Sequence, residues 1–229
     1  MSQYDGYKQQ VLEYSQMLAR KGYLIGSGGN VSIRVEGEDA LAITPSGREY
    51  GGLTADDICV FDFEQRSIEG TLRPSIETGM HIAVYRARLD VNAVVHTHQP
   101  YASTFAVINR PIPALFDEQV VELGDRVVIV PYGLSGSVDL HENIAAHLGN
   151  QCNAYIMQNH GVLCLGVDIA QAARNAEILE KCARVYYYAL ATGEEVTTID
   201  EEIQAILFEI LKSKQQKEAQ RQESKLQQN

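Results

Sequence analysis

The chain has 229 residues, 45% of them hydrophobic, and a formal net charge of −11 from 19 basic and 30 acidic side chains. That length suits one domain with a full core, and the charge argues against general nucleic-acid binding, which needs a cationic surface. No stretch approaches a membrane span, and the start Met1-Ser2-Gln3-Tyr4-Asp5 lacks a basic segment followed by an apolar run, so a cytoplasmic protein with no membrane partner is expected.

In chain order, Val11, Leu12, Tyr14, Leu18 and Ala19 fall at helical spacing over residues 7–21, with Gly22 as the stop. The cluster Gly26-Ser27-Gly28-Gly29-Asn30 reads as a turn, followed by strands over 31–35, 41–44 and 57–63. Residues 74–88 read as helical after the first few, 91–97 as a buried strand, and Pro100 as the opening of another helix. A strand over 127–130 ends at Pro131, and Ser137 caps a helix to Leu148. Strands over 154–158 and 162–165 flank the Asn159-His160-Gly161 turn. Asp168 then caps a long helix to about Ala191, and Thr198-x-x-Glu201 reads as a capping box for a last helix. Strands and helices mix without strict alternation, which predicts an α/β fold of three layers, a mostly antiparallel sheet between helices. Residues 1–211 form the expected domain. The segment 212–229, rich in Gln, Lys and Glu, is expected to be a frayed helix or disordered. The four cysteines are widely spaced with no Cys-x-x-Cys, which favours buried reduced thiols over a cysteine metal site.

The run Val91-Asn92-Ala93-Val94-Val95 ends in His96-Thr97-His98. Side chains alternate along a strand, so His96 and His98 face one side and can grip one metal ion, with His160 arriving from a distant turn. Three protein ligands with an open position are the pattern of a catalytic metal site. The spacing alone is equally compatible with two solvent-facing histidines at a strand end.

Three more segments accompany the histidines: Gly29-Asn30-Val31-Ser32, Thr44-Pro45-Ser46-Gly47 and Arg73-Pro74-Ser75-Ile76-Glu77. Each alone reads as a turn or a helix start. In this order, together with the histidines, they resemble the class II aldolase/adducin family over residues 7–210. The resemblance implies a central sheet of about nine strands and a fourfold homotetramer with sites between subunits. It implies His96, His98 and His160 as ligands of one Zn2+ per subunit, although imidazole also accepts Mn2+ or Co2+. It implies Glu77 as the general acid/base, and Gly29, Asn30, Thr44, Ser46, Gly47 and Ser75 as the cradle for a substrate phosphate. The implied reaction is cleavage of a ketose 1-phosphate of the fuculose-1-phosphate kind into dihydroxyacetone phosphate and an aldehyde. The same metal site also suits a ketopentose-phosphate 4-epimerase, a sugar-acid phosphate decarboxylase or a dehydratase. A non-catalytic adducin-like module would be expected to lack the metal ligands, which are all present here.

Three positions depart from the family pattern. Ile76 stands where the family has a second serine before its glutamate. Asp117 falls at the position of a catalytic tyrosine, and no tyrosine follows Tyr188 in place of the family's C-terminal one. Asp117 is therefore read in two ways, as a group handling a proton or hydroxyl, or as an acid favoured at a helix start. His81 lies one helical turn after Glu77, where it can support that residue, although a histidine so placed is more often a satisfied structural one. His141 and His147 are read as ordinary helix residues, and Tyr186-Tyr187-Tyr188 as packing or a subunit contact.

Overall fold

A computed structural model describes residues 2–227. Its centre is an eight-stranded sheet in the order β4-β3-β2-β1-β5-β8-β7-β6. The strands are β1 Asn30–Arg34, β2 Ala40–Ile43, β3 Cys59–Asp62, β4 Ser67–Glu69, β5 Ala93–Thr97, β6 Val128–Val130, β7 Ala154–Met157 and β8 Gly161–Gly166. Every pairing is antiparallel except that of β6 with β7. The helices are α1 Asp5–Arg20, α2 Thr78–Ala87, α3 Pro100–Val107, α4 Asp117–Glu122, α5 Val138–His147, α6 Ile169–Ala191 and α7 Glu201–Leu226.

The central strands are buried on both faces, and their alternation feeds two cores. Val31, Ile33, Ala93, Val95, Val162 and Cys164 pack with α1, α3 and α6 on one face. Leu41, Ile43, Val94, Leu163 and Leu165 pack with α2 and α5 on the other. Each buried Val, Ile or Leu among them contributes about 1.5–3 kcal/mol, so apolar burial on both faces fixes the scaffold for the site. The four cysteines are buried free thiols. No described helix is long and apolar enough to cross a membrane.

Several expected features are met in detail. The Ser137 hydroxyl accepts from the Leu140 N–H at 3.2 Å, Asp168 Oδ1 accepts from the Gln171 N–H at 2.7 Å, and Pro100 occupies the first turn of α3. Three differ. Eight strands are present among the described residues, one short of the round figure of about nine. Two further antiparallel contacts, Pro45 with Pro74 and Ile112 with Val127, stay single bridges, because Pro45, Pro74, Pro111 and Pro113 carry no N–H for a ladder. The last helix starts at Glu201 with Asp200 as N-cap and no side-chain cap bond, so the Thr198 box does not form.

The third difference is the segment from residue 212 onward, which continues as helix to Leu226. It docks through polar groups instead of apolar ones. Gln215 Nε2 donates to the Gln151 carbonyl at 2.8 Å and to Asn153 Oδ1 at 3.1 Å. Glu218 accepts from Asn92 Nδ2 at 2.7 Å, and Arg221 and Lys225 pair with Glu36.

On β1, Asn30, Ser32 and Arg34 point together at α2 and are all buried. Ser32 meets His81 and Tyr85. Arg34 donates to the Tyr85 and Arg88 carbonyls, placing a cation at the helix C-terminus where the dipole favours it. Asn30 meets Glu77 and His81 at the other end of the helix. A polar seam therefore locks α2 to the sheet along its length.

Candidate metal centre

The alternation of β5 turns His96 to the α2 face, and His98 follows on the same side just past the strand end. His160 sits in the tight turn between β7 and β8, where its N–H donates to the Met157 carbonyl at 3.1 Å. Asn159 takes the left-handed conformation there, φ 52°, which asparagine tolerates. Gly161 closes the turn because a Cβ would lie 2.4 Å from His98 Cδ2 and 2.6 Å from the Thr97 carbonyl oxygen. Gly29 has φ +77°, and a Cβ there would lie 2.6 Å from the His96 carbonyl oxygen. Backbone without side chains thus wraps the imidazoles.

One ring nitrogen from each of His96, His98 and His160 falls within 4.8 Å of the others, and the Nε2 atoms of His96 and His98 are 3.1 Å apart. His96 Nδ1 donates to the Val162 carbonyl at 2.9 Å, which leaves the Nε2 lone pair facing inward. Burial, reinforced by the neighbouring imidazoles, pushes His98 down to about 3 and His160 down to about 4, so both rings are neutral near neutral pH. In the tautomers that turn a ring nitrogen lone pair inward, rings this close repel unless a cation lies between them. Ligands of a tetrahedral zinc at about 2.1 Å stand roughly 3.4 Å apart, close to the His96–His98 spacing.

Glu77 is the N-cap of α2, with its side chain 6% exposed. Its Oε2 lies 3.2 Å from His96 Nε2 and its Oε1 3.2 Å from His160 Nε2. Asn30 Nδ2 donates to Oε2 at 2.8 Å, whereas Oε1 is buried with no hydrogen-bond partner. Burial alone would raise the carboxyl. The adjoining His96 and His160 imidazoles, with the Asn30 amide, outweigh it and hold the group well below the usual range. An anionic oxygen without a donor, beside converging imidazoles, suits a divalent cation: the three histidines and Glu77 fit a metal.

A cleft of about 260 Å³ opens beside this centre. Gly29, Asn30, Ser46, Gly47, Ser75, Glu77, His98 and His160 all line it. Among the described residues, the Gly29, Gly47 and Ile76 N–H groups make no intramolecular hydrogen bond. Thr44 lies behind the cleft, its hydroxyl accepting from the Val31 N–H at 3.2 Å. Asn30 lines the cleft, but its amide is held between Glu77 and His81. Asp117 is not among the lining residues. It stands exposed in the first turn of α4, while its neighbours Glu118 and Gln119 bind Lys181 and the Pro113 carbonyl. Within one chain, Asp117 is thus a helix-start acid.

Ser135 was not singled out from the sequence, yet it lines the cleft with Oγ 3.3 Å from His160 Nε2. The signal available was the loop Pro131-Tyr132-Gly133-Leu134-Ser135-Gly136, rich in glycine and placed directly after a strand end.

The family model for the class II aldolase and adducin N-terminal domain matches residues 9–187. An L-fuculose phosphate aldolase of Methanococcus maripaludis is 34% identical over 183 residues, covering 80% of this chain and 97% of that protein. A 5-deoxy-D-ribulose 1-phosphate aldolase of Bacillus thuringiensis serovar kurstaki is 32% identical over 197 residues, covering 86% and 92%. Among solved structures, an L-fuculose 1-phosphate aldolase superposes with a TM-score of 0.86 at 30% identity, covering 93% of this chain and 98% of that one.

Proposed function

Because the chain belongs to the class II aldolase and adducin family, an assignment that makes it an enzyme of the class II aldolase type, we propose that it cleaves a ketose 1-phosphate into dihydroxyacetone phosphate and an aldehyde with a bound Zn2+. The observation that carries this reading is the convergence of three imidazoles beside a buried carboxylate. Relatives that cleave fuculose phosphate and deoxyribulose 1-phosphate support the substrate class.

His96, His98 and His160 would hold the metal. When bound, a divalent ion supplies Lewis-acid stabilisation of the negative charge that develops on substrate oxygens as the carbon–carbon bond opens. Glu77 Oε1, free of hydrogen bonds, takes and returns the proton, while Oε2 is anchored by Asn30. The Gly29, Gly47 and Ile76 N–H groups and the Ser46 and Ser75 hydroxyls form a donor-rich pocket for the phosphate. Ile76 offers this pocket its backbone N–H where the family offers a hydroxyl. Thr44 supports the pocket from behind by tying β1 to β2. Asp117, outside its own cleft, can act only on a neighbouring subunit's site, so its role depends on the homotetramer that the family resemblance implies.

Glu77→Gln is expected to keep one metal per chain and to lower turnover about a hundredfold or more. Metal analysis and steady-state rates check this, and an unchanged rate removes Glu77 from the mechanism. Ser46→Ala is expected to raise the Michaelis constant for a phosphorylated ketose and leave that for its unphosphorylated analogue alone. Equal effects on both would move the phosphate elsewhere. Asp117 in place of the family's tyrosine favours one second reading, the same centre acting as an epimerase, decarboxylase or dehydratase on a sugar or sugar-acid phosphate. Product analysis across ketose phosphates and keto-acid phosphates separates the two, since triose formation occurs only in the first.

A further inference from the structure

Behind Glu77 the seam between β1 and α2 holds a continuous chain of buried polar contacts. His81 is fully buried, and both of its ring nitrogens are engaged: Nε2 lies 2.5 Å from Asn30 Oδ1 and Nδ1 2.6 Å from Ser32 Oγ. Ser32 Oγ lies 2.7 Å from the Tyr85 hydroxyl, and Asn30 Nδ2 lies 2.8 Å from Glu77 Oε2. We propose that His81 is a positioning residue for Glu77, acting through Asn30 to fix which carboxylate oxygen handles the proton. The inference rests on the reading of Glu77 as the proton carrier.

The direction of donation along this chain follows from which atoms can donate. A carboxylate only accepts, so the Asn30 amide must turn its NH2 to Glu77 and its oxygen to His81. That oxygen needs a donor, so the single N–H of a neutral His81 ring sits on Nε2. Nδ1 then accepts from the Ser32 hydroxyl, and Ser32 accepts from Tyr85. Burial keeps the ring neutral by pushing His81 down to about 3. The alternative tautomer sets two acceptors against each other at 2.5 Å between His81 and Asn30. The relay therefore runs one way, from Tyr85 to Glu77, and delivers its last N–H to Oε2. Oε1 is left without a partner, 3.2 Å from His160 and facing the metal centre.

An apolar residue would fill the same space at lower cost, as Met80 and Val84 do on this helix. A buried polar chain is costly unless every member is satisfied, and here every link from Tyr85 to Glu77 Oε2 is.

The test uses the full, zinc-loaded chain and three variants: His81→Leu, His81→Gln and His81→Leu combined with Glu77→Gln. His81→Leu is expected to keep its zinc and a Michaelis constant within about twofold while kcat falls about tenfold or more. His81→Gln, whose amide can accept from Ser32 and donate to Asn30, is expected to recover kcat to within about threefold. In the Glu77→Gln background, His81→Leu is expected to cause no further loss. Independently of activity, nitrogen-15 NMR should show His81 as the neutral Nε2–H tautomer near neutral pH. An undiminished kcat in His81→Leu, no rescue by Gln, additive losses with Glu77→Gln, or an Nδ1–H tautomer would each overturn the proposal. If His81→Leu does not fold, Ser32→Ala removes the donor to Nδ1, and its kcat is expected to fall with zinc retained; an unchanged kcat counts against the proposal. Failure of the underlying reading looks different: Glu77→Gln alone would then turn over at the wild-type rate, and the proposal falls with it.

Discussion

At His96 a single hydrogen bond decides what the ring can do. With Nδ1 committed to the Val162 carbonyl, Nε2 is left as a lone-pair donor at the point where His98 and His160 converge. His96→Ala or His98→Ala is expected to lose the metal on dialysis with the fold intact. Metal analysis checks this, and full occupancy in either variant contradicts the ligand set. His81 makes a separate prediction about pH. The unfolded chain protonates this ring near pH 6.5, whereas burial delays protonation in the folded chain to about 3. Its contribution to stability is therefore whole above about pH 6.5 and declines as pH falls, by about 1.4 kcal/mol per pH unit. Urea midpoints near neutral pH and at about pH 5 should differ less in His81→Gln than in the parent chain. An equal drop in both would show that His81 titrates normally. The His-x-His pair was legible because a strand's period of two forces both rings to one side. Asn30 was legible as a turn residue and, by resemblance, as part of the phosphate cradle, but not as the partner of Glu77 and His81. Its neighbour across the strand pair, His96, and its partners on α2 come from segments far away in sequence. Asp117 was open between two readings because chain order does not show which cleft an exposed residue faces.

Among the elements, α2 contributes most directly to the site. It starts at Glu77 and is fastened by Asn30, Ser32 and Arg34 from one strand, so the carboxylate is held by the whole length of the helix. Helix starts at Ser137 and Asp168 could be read from local chemistry, since a cap bond spans three residues. Asp168→Ala is expected to cost about 1 kcal/mol, measured by urea unfolding. The end of α7 could not be read this way. Residues 212–226 contain few apolar side chains, and the helix holds its place by reaching Gln151, Asn153, Asn92 and Glu36, contacts that composition does not reveal. Removal of residues 212–229 is expected to lower the thermal midpoint by several degrees, at roughly 2–4 °C per kcal/mol for a chain of this size, without loss of metal. An unchanged midpoint would mean that the docked segment contributes no stability.

For the whole molecule, layer architecture was legible from the mixture of helical and strand periods. The strand count was not, because it turns on whether proline-flanked contacts extend beyond a single bridge. Around the cleft, Ile76, Leu134 and Val138 are 64%, 66% and 65% exposed. Apolar side chains gathered at one rim suit burial against another subunit, which agrees with the proposed tetramer. Sedimentation is expected to give about four times the chain mass, and a monomer would exclude any role for Asp117 in a shared site. If sites are shared, mixed assemblies of Asp117→Asn and Glu77→Gln chains should regain part of the activity that each lacks alone. No recovery, in assemblies shown to contain both chains, would confine Asp117 to a structural role.

The hairpin bend at Gly161 has a practical corollary for reading related chains. There is no room for even one carbon atom between that bend and the ring of His98. A relative that retains every imidazole but bears alanine or anything larger at this bend should be scored as unable to load its ion, and an inventory of ligands alone would misclassify it.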